Sequence, residues 1–126
     1  MKTLLAVALG GAMGASARYL LISATGRWLG DGFPWGTLIV NVAGCFLMGV
    51  LSEAMALKWN VGLELRALLT IGILGGFTTF SSFALDTALL NDRAEFGASA
   101  FYVLASVMLS IGGFYAGLLI VRQSIA

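Results

Sequence analysis

The middle of the third uncharged stretch of the chain reads Gly72-Ile-Leu-Gly-Gly-Phe-Thr-Thr-Phe-Ser-Ser-Phe83. Its glycines, threonines and serines are moderate or poor helix formers, so the segment predicts a break inside a helical span. Non-helical backbone at membrane depth persists only where protein or a watery cavity satisfies its polar groups. Hydroxyls follow the break at Thr78, Thr79, Ser81 and Ser82, and they can cap the resumed helix. The segment therefore indicates a membrane span with a polar centre.

The composition of the whole chain predicts a membrane protein. Of its 126 residues, 60% are hydrophobic and 10% are charged, whereas soluble domains have about 45–50% and about 25%. A soluble domain of this size cannot hide so much apolar surface. A net charge of +1 offers no basic patch to nucleic acid. With no histidine and one cysteine, the chain lacks the residues for imidazole catalysis, a disulfide or a thiolate zinc site. We expect an integral membrane protein that is not an enzyme and has no organic cofactor.

The charged residues divide the chain into apolar stretches of membrane-spanning length. A helix needs about 20 mostly apolar residues to cross a bilayer. The first stretch reaches this length only if Arg18 lies near an interface or a wet cavity. We predict one all-α domain, residues 1–126, with four transmembrane helices at about 3–24, 34–57, 65–90 and 97–121.

Glycines four residues apart occur in three of the predicted spans, as Gly10/Gly14, Gly72/Gly76 and Gly113/Gly117. Such spacing lets helix backbones approach closely in lipid, so it predicts a tightly packed bundle. The first span also has an alternative interpretation. A short basic start, an apolar run and the small residues 14–17 are similar to a cleavable secretory signal.

The basic residues are almost equally divided between the two membrane faces. The face with both termini has Lys2, Lys58, Arg66 and Arg122, and the opposite face has Arg18, Arg27 and Arg93. Orientation is set by an excess of Lys and Arg on one face. The balance therefore predicts insertion in both orientations, with oppositely oriented copies paired as an antiparallel homodimer. A weak but sufficient bias toward one orientation is the alternative.

Polar side chains align within the predicted spans. Thr37 and Asn41 share a face of the second span, and Tyr102, Ser106 and Ser110 form a line along the fourth. A single hydroxyl commonly bonds its own helix carbonyl four residues back. Three aligned hydroxyls with an asparagine nearby favour a polar track instead.

No acidic residue lies at the middle of a span, since Glu53 and Asp86 are near predicted span ends. Coupled exporters generally need a protonatable group deep in the membrane, so a passive route is favoured. Amide and hydroxyl donors, together with the positive edges of phenyl rings, suit a small hydrated anion or polar solute. We assign Cys45, which has no polar company in the sequence, to helix packing.

Three motifs together resemble the Fluc fluoride channel family over the whole chain. Gly10-Gly-Ala-Met-Gly-Ala-Ser-Ala-Arg18-Tyr19 resembles the first-helix signature, and Gly36-Thr-Leu-Ile-Val-Asn41-Val-Ala-Gly44 the second. The segment from Gly72 to Phe83 is similar to the family's most distinctive motif, with Ser82 where threonine is frequent.

This resemblance implies a passive fluoride channel of the bacterial inner (plasma) membrane that exports fluoride and protects the cell from it. It implies an antiparallel dimer with two pores and a structural Na⁺ at its centre. Carbonyls of Gly75 and Thr78 would hold the Na⁺, and Arg18 would lie at a vestibule. The implied fluoride pathway consists of Thr37, Asn41, Thr79, Phe80, Phe83, Tyr102, Ser106 and Ser110.

Two other functions are compatible with a short four-helix chain. A small multidrug resistance-type transporter would need a membrane-embedded glutamate in the first span, where this chain has Met13 and Gly14. A membrane scaffold subunit would transport nothing. Fluoride efflux from liposomes separates these functions.

Overall fold

The computed structural model describes residues 1–125, and within them the regular structure is entirely helical. The helices are α1 (Lys2–Leu29), α2 (Trp35–Leu57), α3 (Leu63–Ala67), α4 (Gly75–Phe77), α5 (Phe80–Asp92) and α6 (Phe96–Ile125), with a π-helical segment at Leu68–Leu74. Over these residues, four helical stretches are long and apolar enough to cross a membrane: α1, α2, the stretch Leu63–Asp92 and α6. We call Leu63–Asp92 the third span.

The first helix is longer than its predicted span. It continues from residue 24 to Leu29, so the connection begins five residues later than the sequence analysis predicted. Thr25 lies within this added length, and its Oγ1 donates a hydrogen bond of 2.7 Å to the Leu21 carbonyl, so its hydroxyl is satisfied without leaving the helix. Gly30 ends the helix with φ of 80°, a left-handed conformation that glycine adopts without steric cost.

Glycines join α1 to the first half of the third span, which we name the glycine seam (Gly10, Gly14, Gly72 and Gly76). A side-chain carbon at Gly10 would lie 2.9 Å from the Gly72 Cα, and one at Gly14 would collide with the Ile73 carbonyl. One at Gly76 would lie 2.7 Å from the carbonyl oxygen of Gly11. The predicted close packing is confirmed here. These contacts favour four spans over a cleaved signal.

A second glycine contact joins α2 to α6. A side-chain carbon at Gly49 would collide with the Phe114 carbonyl, and one at Gly117 with the Phe46 carbonyl. An ion pair lies at the end of this contact, where Arg122 Nε is 3.1 Å from Glu53 Oε1. Because the Glu53 residue is only 7% exposed, its carboxylate needs such a partner.

The helical backbone of the third span is interrupted at Thr78 and Thr79. Both residues have extended dihedrals, with φ/ψ of −85°/158° and −154°/116°. Helix α5 then begins at Phe80, and the Thr79 hydroxyl accepts a hydrogen bond of 3.1 Å from the Ser82 amide. Capping of the resumed helix, predicted from the hydroxyls after Phe77, is confirmed for Thr79. The π-helical segment lies four residues before the interruption, a position that the sequence did not indicate.

Candidate functional site

Asn41 of α2 holds the interruption in place. Its Oδ1 accepts a hydrogen bond of 2.7 Å from the Thr79 amide, and its Nδ2 donates one of 3.0 Å to the Thr79 carbonyl. The Asn41 oxygen therefore replaces the helical acceptor that the Thr79 amide has lost, and the Asn41 Nδ2 adds a donor at the Thr79 carbonyl, which as the N-cap of α5 also accepts the first bond of that helix. These two hydrogen bonds join residues of different spans that are 38 positions apart in the sequence. The sequence had predicted Asn41 to be a hydrogen-bond donor.

The interruption leaves backbone carbonyls without their usual helical donors. In an α-helix, the Thr79 amide would bond to the Gly75 carbonyl and the Ser82 amide to the Thr78 carbonyl. Here the Thr79 amide bonds to Asn41 and the Ser82 amide bonds to the Thr79 hydroxyl. The carbonyls of Gly75 and Thr78 are thus free to accept other partners. Gly75 is also exposed on the chain surface.

A cavity of about 350 Å³ opens beside the interruption, and we call it the break cavity. Its wall combines hydroxyl, amide, thiol and aromatic groups and contains no charged side chain. It is formed by Asn41, Cys45, Thr78, Thr79, Phe80, Phe83, Ser106, Val107, Ser110 and Ile111. Six of the eight residues predicted for the anion pathway therefore meet in one cavity.

The two phenylalanines occupy different environments at this cavity. Phe80 is 78% exposed, whereas Phe83 is 9% exposed and belongs to the buried core. Their ring centroids lie 5.3 Å apart, which is a contact distance for aromatic pairs. Phe83 has packing partners within the chain, but the exposed face of Phe80 has none in the described residues.

Ser106 has a hydroxyl that no group in residues 1–125 satisfies. Its residue is 5% exposed, and its Oγ is buried without a hydrogen-bond partner. The common alternative, a bond to the carbonyl four residues back, is therefore wrong for Ser106. Thr25 and Thr78 do make that bond. A buried hydroxyl without a partner normally has an explanation, such as a bound ion or water.

Tyr102 and Asp86 continue the polar line beyond the break cavity. The Tyr102 ring is fully buried and lies 5.2 Å from the Phe83 ring, measured between centroids. Its hydroxyl donates a hydrogen bond of 3.0 Å to Asp86 Oδ2. Asp86 and Thr37 line a second cavity of about 340 Å³, which Arg93 borders near the connections between spans.

The sequence analysis missed the contribution of Asp86. It placed this carboxylate near the end of the third span, with no role in the polar track. The structure turns it inward to Tyr102, sixteen residues along the chain. Asp86 lies within one helical turn of other α5 residues that face inward, and this spacing could have indicated its role.

The remaining predicted residue, Arg18, lies apart from both cavities. It is half-buried on α1, one helical turn beyond Gly14. A side-chain carbon at Gly14 would lie 2.9 Å from the Phe77 amide nitrogen. Because residues four apart share a helix face, Arg18 projects from the α1 face that packs on the third span.

Four apolar spans with a few polar side chains in the cavities between them define a multi-pass membrane protein. A profile of the CrcB family, described as "CrcB-like protein, Camphor Resistance (CrcB)", matches residues 5–118. The chain belongs to this family, and the resemblance drawn from its motifs is confirmed.

Three related proteins match between 93% and 100% of the chain. The fluoride-specific ion channel FluC of Rhodospirillum centenum is 56% identical over 126 residues, 100% of both chains. The channel of the same name from Chelativorans sp. is 55% identical over 123 residues, 98% of each chain. That of Agrobacterium fabrum is 50% identical over 117 residues, 93% of this chain and 94% of its own. The family is one of ion channels, and the chain is not an enzyme.

Proposed function

We propose that the chain is a passive fluoride channel whose pathway runs through the break cavity. The observation that carries this proposal is the buried, unpartnered Ser106 hydroxyl beside two phenylalanines and Asn41. Hydroxyl and amide donors without a full positive charge can replace part of the water around fluoride and still release it. The relatives named as fluoride-specific channels supply the identity of the anion.

Each predicted pathway residue has a role in this proposal. Phe80 and Phe83 offer positive ring edges to the anion. Asn41 has two amide hydrogens, and only one bonds to Thr79. Ser106 and Ser110 donate hydroxyls from α6. The pathway continues past Tyr102 to the second cavity, where Thr37 lies, and the Thr79 hydroxyl both caps α5 and faces the break cavity.

The channel is an antiparallel homodimer with two pores in this proposal. Phe80 and Gly75 are exposed on the single chain beside the interruption, and a second copy would cover them. The near-equal division of basic residues allows copies of both orientations. Because each copy carries one break cavity, twofold symmetry gives two pathways. Arg18 borders a vestibule that gathers the anion by its charge.

A structural Na⁺ at the dimer centre fits the backbone of the interruption. The Gly75 and Thr78 carbonyls lack helical donors, and two copies would bring four such oxygens together. Carbonyls of unwound membrane helices are suitable ligands for Na⁺. In residues 1–125 no group of three carboxylate, thiol or imidazole side chains could hold a metal. The ion would crosslink the two interruptions without entering the permeation pathway.

The proposed physiological role is export of fluoride across the bacterial inner membrane, which protects the cell. Export through a passive channel needs no coupling to another energy source. A membrane potential of 100 mV, negative inside, favours exit of a monovalent anion by about 2.3 kcal/mol. The first span contains no glutamate, so a small multidrug resistance-type mechanism lacks its central group.

Fluoride efflux from liposomes tests the proposal, with chloride efflux measured in parallel. The purified protein should release fluoride and exclude chloride. Phe80→Leu and Phe83→Leu should each reduce fluoride efflux strongly, because leucine has no comparable positive ring edge. Because Phe→Leu nearly conserves volume, each replacement should cost less than about 1.5 kcal/mol of stability.

Phe96→Leu is the matched control, since Phe96 is 65% exposed at the start of α6, away from the break cavity. It should conduct normally, and gel filtration should verify the same oligomer for every variant. Normal fluoride efflux in both pathway variants would show that the two phenylalanines only pack against their neighbours.

Labelling of cysteines added at the termini in intact cells tests dual topology, and a single orientation would contradict it.

A further inference from the structure

The connection between α1 and α2 places an aromatic side chain against the polar line of α6. Phe33 lies just outside the predicted second span, so the sequence analysis gave it no role. In the structure its half-buried ring packs against the core around Tyr102. The two ring centroids lie 5.5 Å apart, and the ring planes are nearly perpendicular, at 88°. Aromatic pairs prefer such an edge-to-face arrangement.

Phe33 completes a row of three rings that separates the two cavities. Phe83 is in the wall of the break cavity, and Phe33 is in the wall of the second cavity. Tyr102 lies between them, with its centroid 5.2 Å from that of Phe83. Because Tyr102 is fully buried, it lines neither cavity. An ion that moves directly between the cavities therefore has to pass this row of rings.

Two kinds of contact hold the Tyr102 side chain. Its hydroxyl donates a hydrogen bond of 3.0 Å to Asp86 Oδ2, which fixes the outer end of the side chain. The flat part of the side chain is held by the rings of Phe83 and Phe33. Phe83 is part of a helix and of the buried core, whereas Phe33 belongs to a short connection. The position of Tyr102 on the side of the second cavity therefore depends on that connection.

The connection that carries Phe33 is itself anchored. Arg93 Nη2 donates a hydrogen bond of 3.1 Å to the Gly32 carbonyl, and the Trp35 amide donates one of 2.8 Å to the Phe33 carbonyl. The Trp35 ring also packs against the Phe33 ring, with centroids 4.6 Å apart. These contacts hold the backbone before and after Phe33, so its ring keeps a fixed position against α6.

We propose that Phe33 is a positioning residue for Tyr102 and that it thereby sets the selectivity of the channel for fluoride over chloride. The inference rests on the proposed function. Selectivity in a pore depends on its diameter and on the donors that line it. Loss of the Phe33 ring would leave a space beside Tyr102, because neighbouring groups fill such a space only in part. The Tyr102 ring could then move away from Phe83, and the wider passage would admit the larger chloride ion.

The experiment measures fluoride and chloride efflux from liposomes that contain the purified, full-length protein. Phe33→Ala should raise chloride efflux by about tenfold or more and keep fluoride efflux within about threefold of the wild type, because the donors of the break cavity remain. Phe33→Leu keeps more of the volume and should raise chloride efflux less. Phe33→Tyr keeps the ring, and its added hydroxyl can point into the second cavity, so it should exclude chloride as the wild type does.

Phe101→Ala is the matched control. The Phe101 ring also packs against the Phe33 ring, with centroids 5.9 Å apart. It is 56% exposed and lines neither cavity. This variant loses the same aromatic volume, but Tyr102 keeps its contact with Phe33, so chloride should stay excluded. Gel filtration verifies the oligomer of each variant, and Phe33→Leu takes the place of Phe33→Ala if the latter does not assemble.

A second measurement follows Tyr102 independently of transport. The chain has three tyrosines, so protein produced with 3-fluorotyrosine carries three labels, and Tyr102→Phe identifies the signal of Tyr102. Fluorine NMR in detergent should give a sharp Tyr102 signal in the wild type and in Phe33→Tyr. The signal should be broadened by ring motion in Phe33→Ala. Loss of a neighbouring ring changes the chemical shift in any case, so the line width is the criterion.

Each contrary result has a distinct meaning. Chloride efflux of Phe33→Ala and Phe33→Leu equal to that of the wild type overturns the role in selectivity. An equal chloride leak in Phe101→Ala overturns it too, because a general loss of packing would then be the cause. An unchanged line width in Phe33→Ala overturns the positioning of Tyr102. Wild-type protein that carries no fluoride overturns the proposed function instead, and the line width then decides the positioning of Tyr102 alone.

Discussion

The two halves of the third span meet the rest of the molecule in different ways. The half before Thr78 packs through the glycine seam, where the α1 backbone leaves no space for side-chain carbons at Gly72 or Gly76. The half after Thr79 exposes Phe80 and borders an open cavity. One half is fixed by backbone contact, and the other is held by a few side-chain hydrogen bonds.

This difference separates the stability of the fold from its chemistry. A backbone contact tolerates no added atom, so the glycine seam fixes how closely α1 and the first half of the third span approach each other. The cavity side leaves donors and carbonyls unpaired, a state that costs free energy unless something binds. Changes in the seam should therefore remove folding, and changes in the cavity should remove conduction from a folded protein.

Gly14→Val should have the largest effect. Its side chain would collide with the Ile73 carbonyl and the Phe77 amide, both fixed backbone atoms. Overpacking against backbone should destabilise the protein by about 3 kcal/mol or more. Gly11→Val is the matched control, because a side-chain carbon there meets nothing within 4 Å. Thermal unfolding in detergent measures both, and equal stability of the two variants would contradict the proposed function of the seam.

Gly75→Val should have the second-largest effect, because it should disrupt the dimer while each chain still folds. A side-chain carbon at Gly75 meets only the Thr70 carbonyl, at an ordinary distance of 3.5 Å, so the chain should fold. The added bulk would crowd the site where two interruptions are proposed to meet. Light scattering in detergent should find a folded monomer, with Gly97→Val still dimeric. A Gly75→Val dimer with normal stability would remove Gly75 from the interface.

Asn41→Asp should reduce fluoride efflux and keep the dimer. An ionised carboxylate still accepts from the Thr79 amide but cannot donate to the Thr79 carbonyl. It also repels the anion, and together these losses should lower efflux by about tenfold or more. Asn60→Asp makes the same chemical change in the connection between α2 and α3, and it should conduct normally. Efflux of Asn41→Asp equal to that control would exclude Asn41 from the pathway.

Thr78→Ser should have the smallest effect. Serine keeps the hydroxyl that bonds to the Leu74 carbonyl at 3.0 Å, and it loses only a methyl group beside Gly44. The cost should be about 1 kcal/mol of stability, with efflux changed by less than twofold, because the proposed ligand is the backbone carbonyl. Thr70→Ser, which makes the same bond to Arg66, is its control. A large loss of efflux for Thr78→Ser alone would assign the role to the side chain.

The sequence predicted the features that depend on local composition. Uncharged stretches located the spans, and the cluster of glycine, threonine and serine located the change of backbone at Thr78. The sequence did not predict that α1 continues to Leu29. The residue type of Thr25 does not distinguish a threonine whose hydroxyl bonds to its own helix from a threonine in a loop. Nor did it predict the π-helical segment Leu68–Leu74, since its residue types also suit an α-helix.

The pairings that build the site depend on distances along the chain that no local pattern records. Asn41 and Thr79 are 38 residues apart, and Glu53 and Arg122 are 69 apart. The sequence identified Asn41 as polar within a span but could not reveal that its amide replaces a lost helical bond. Cys45, which we assigned to helix packing, lines the break cavity together with Ser110 of α6, a neighbour that no local pattern could indicate.

Unequal helix lengths have a consequence for the surrounding lipid. With 28 and 30 residues, α1 and α6 are about 42 Å and 45 Å long, whereas α2 with 23 residues is about 35 Å long. The hydrocarbon core of a bilayer is about 30 Å thick. Helices of this length have to tilt or extend among the headgroups, and the exposed Trp28 near the end of α1 is the residue type that anchors a helix at that level. In a bilayer with longer acyl chains than the cell's own, the lipids that surround α2 would therefore be strained first, because α2 is shorter than α1 and α6.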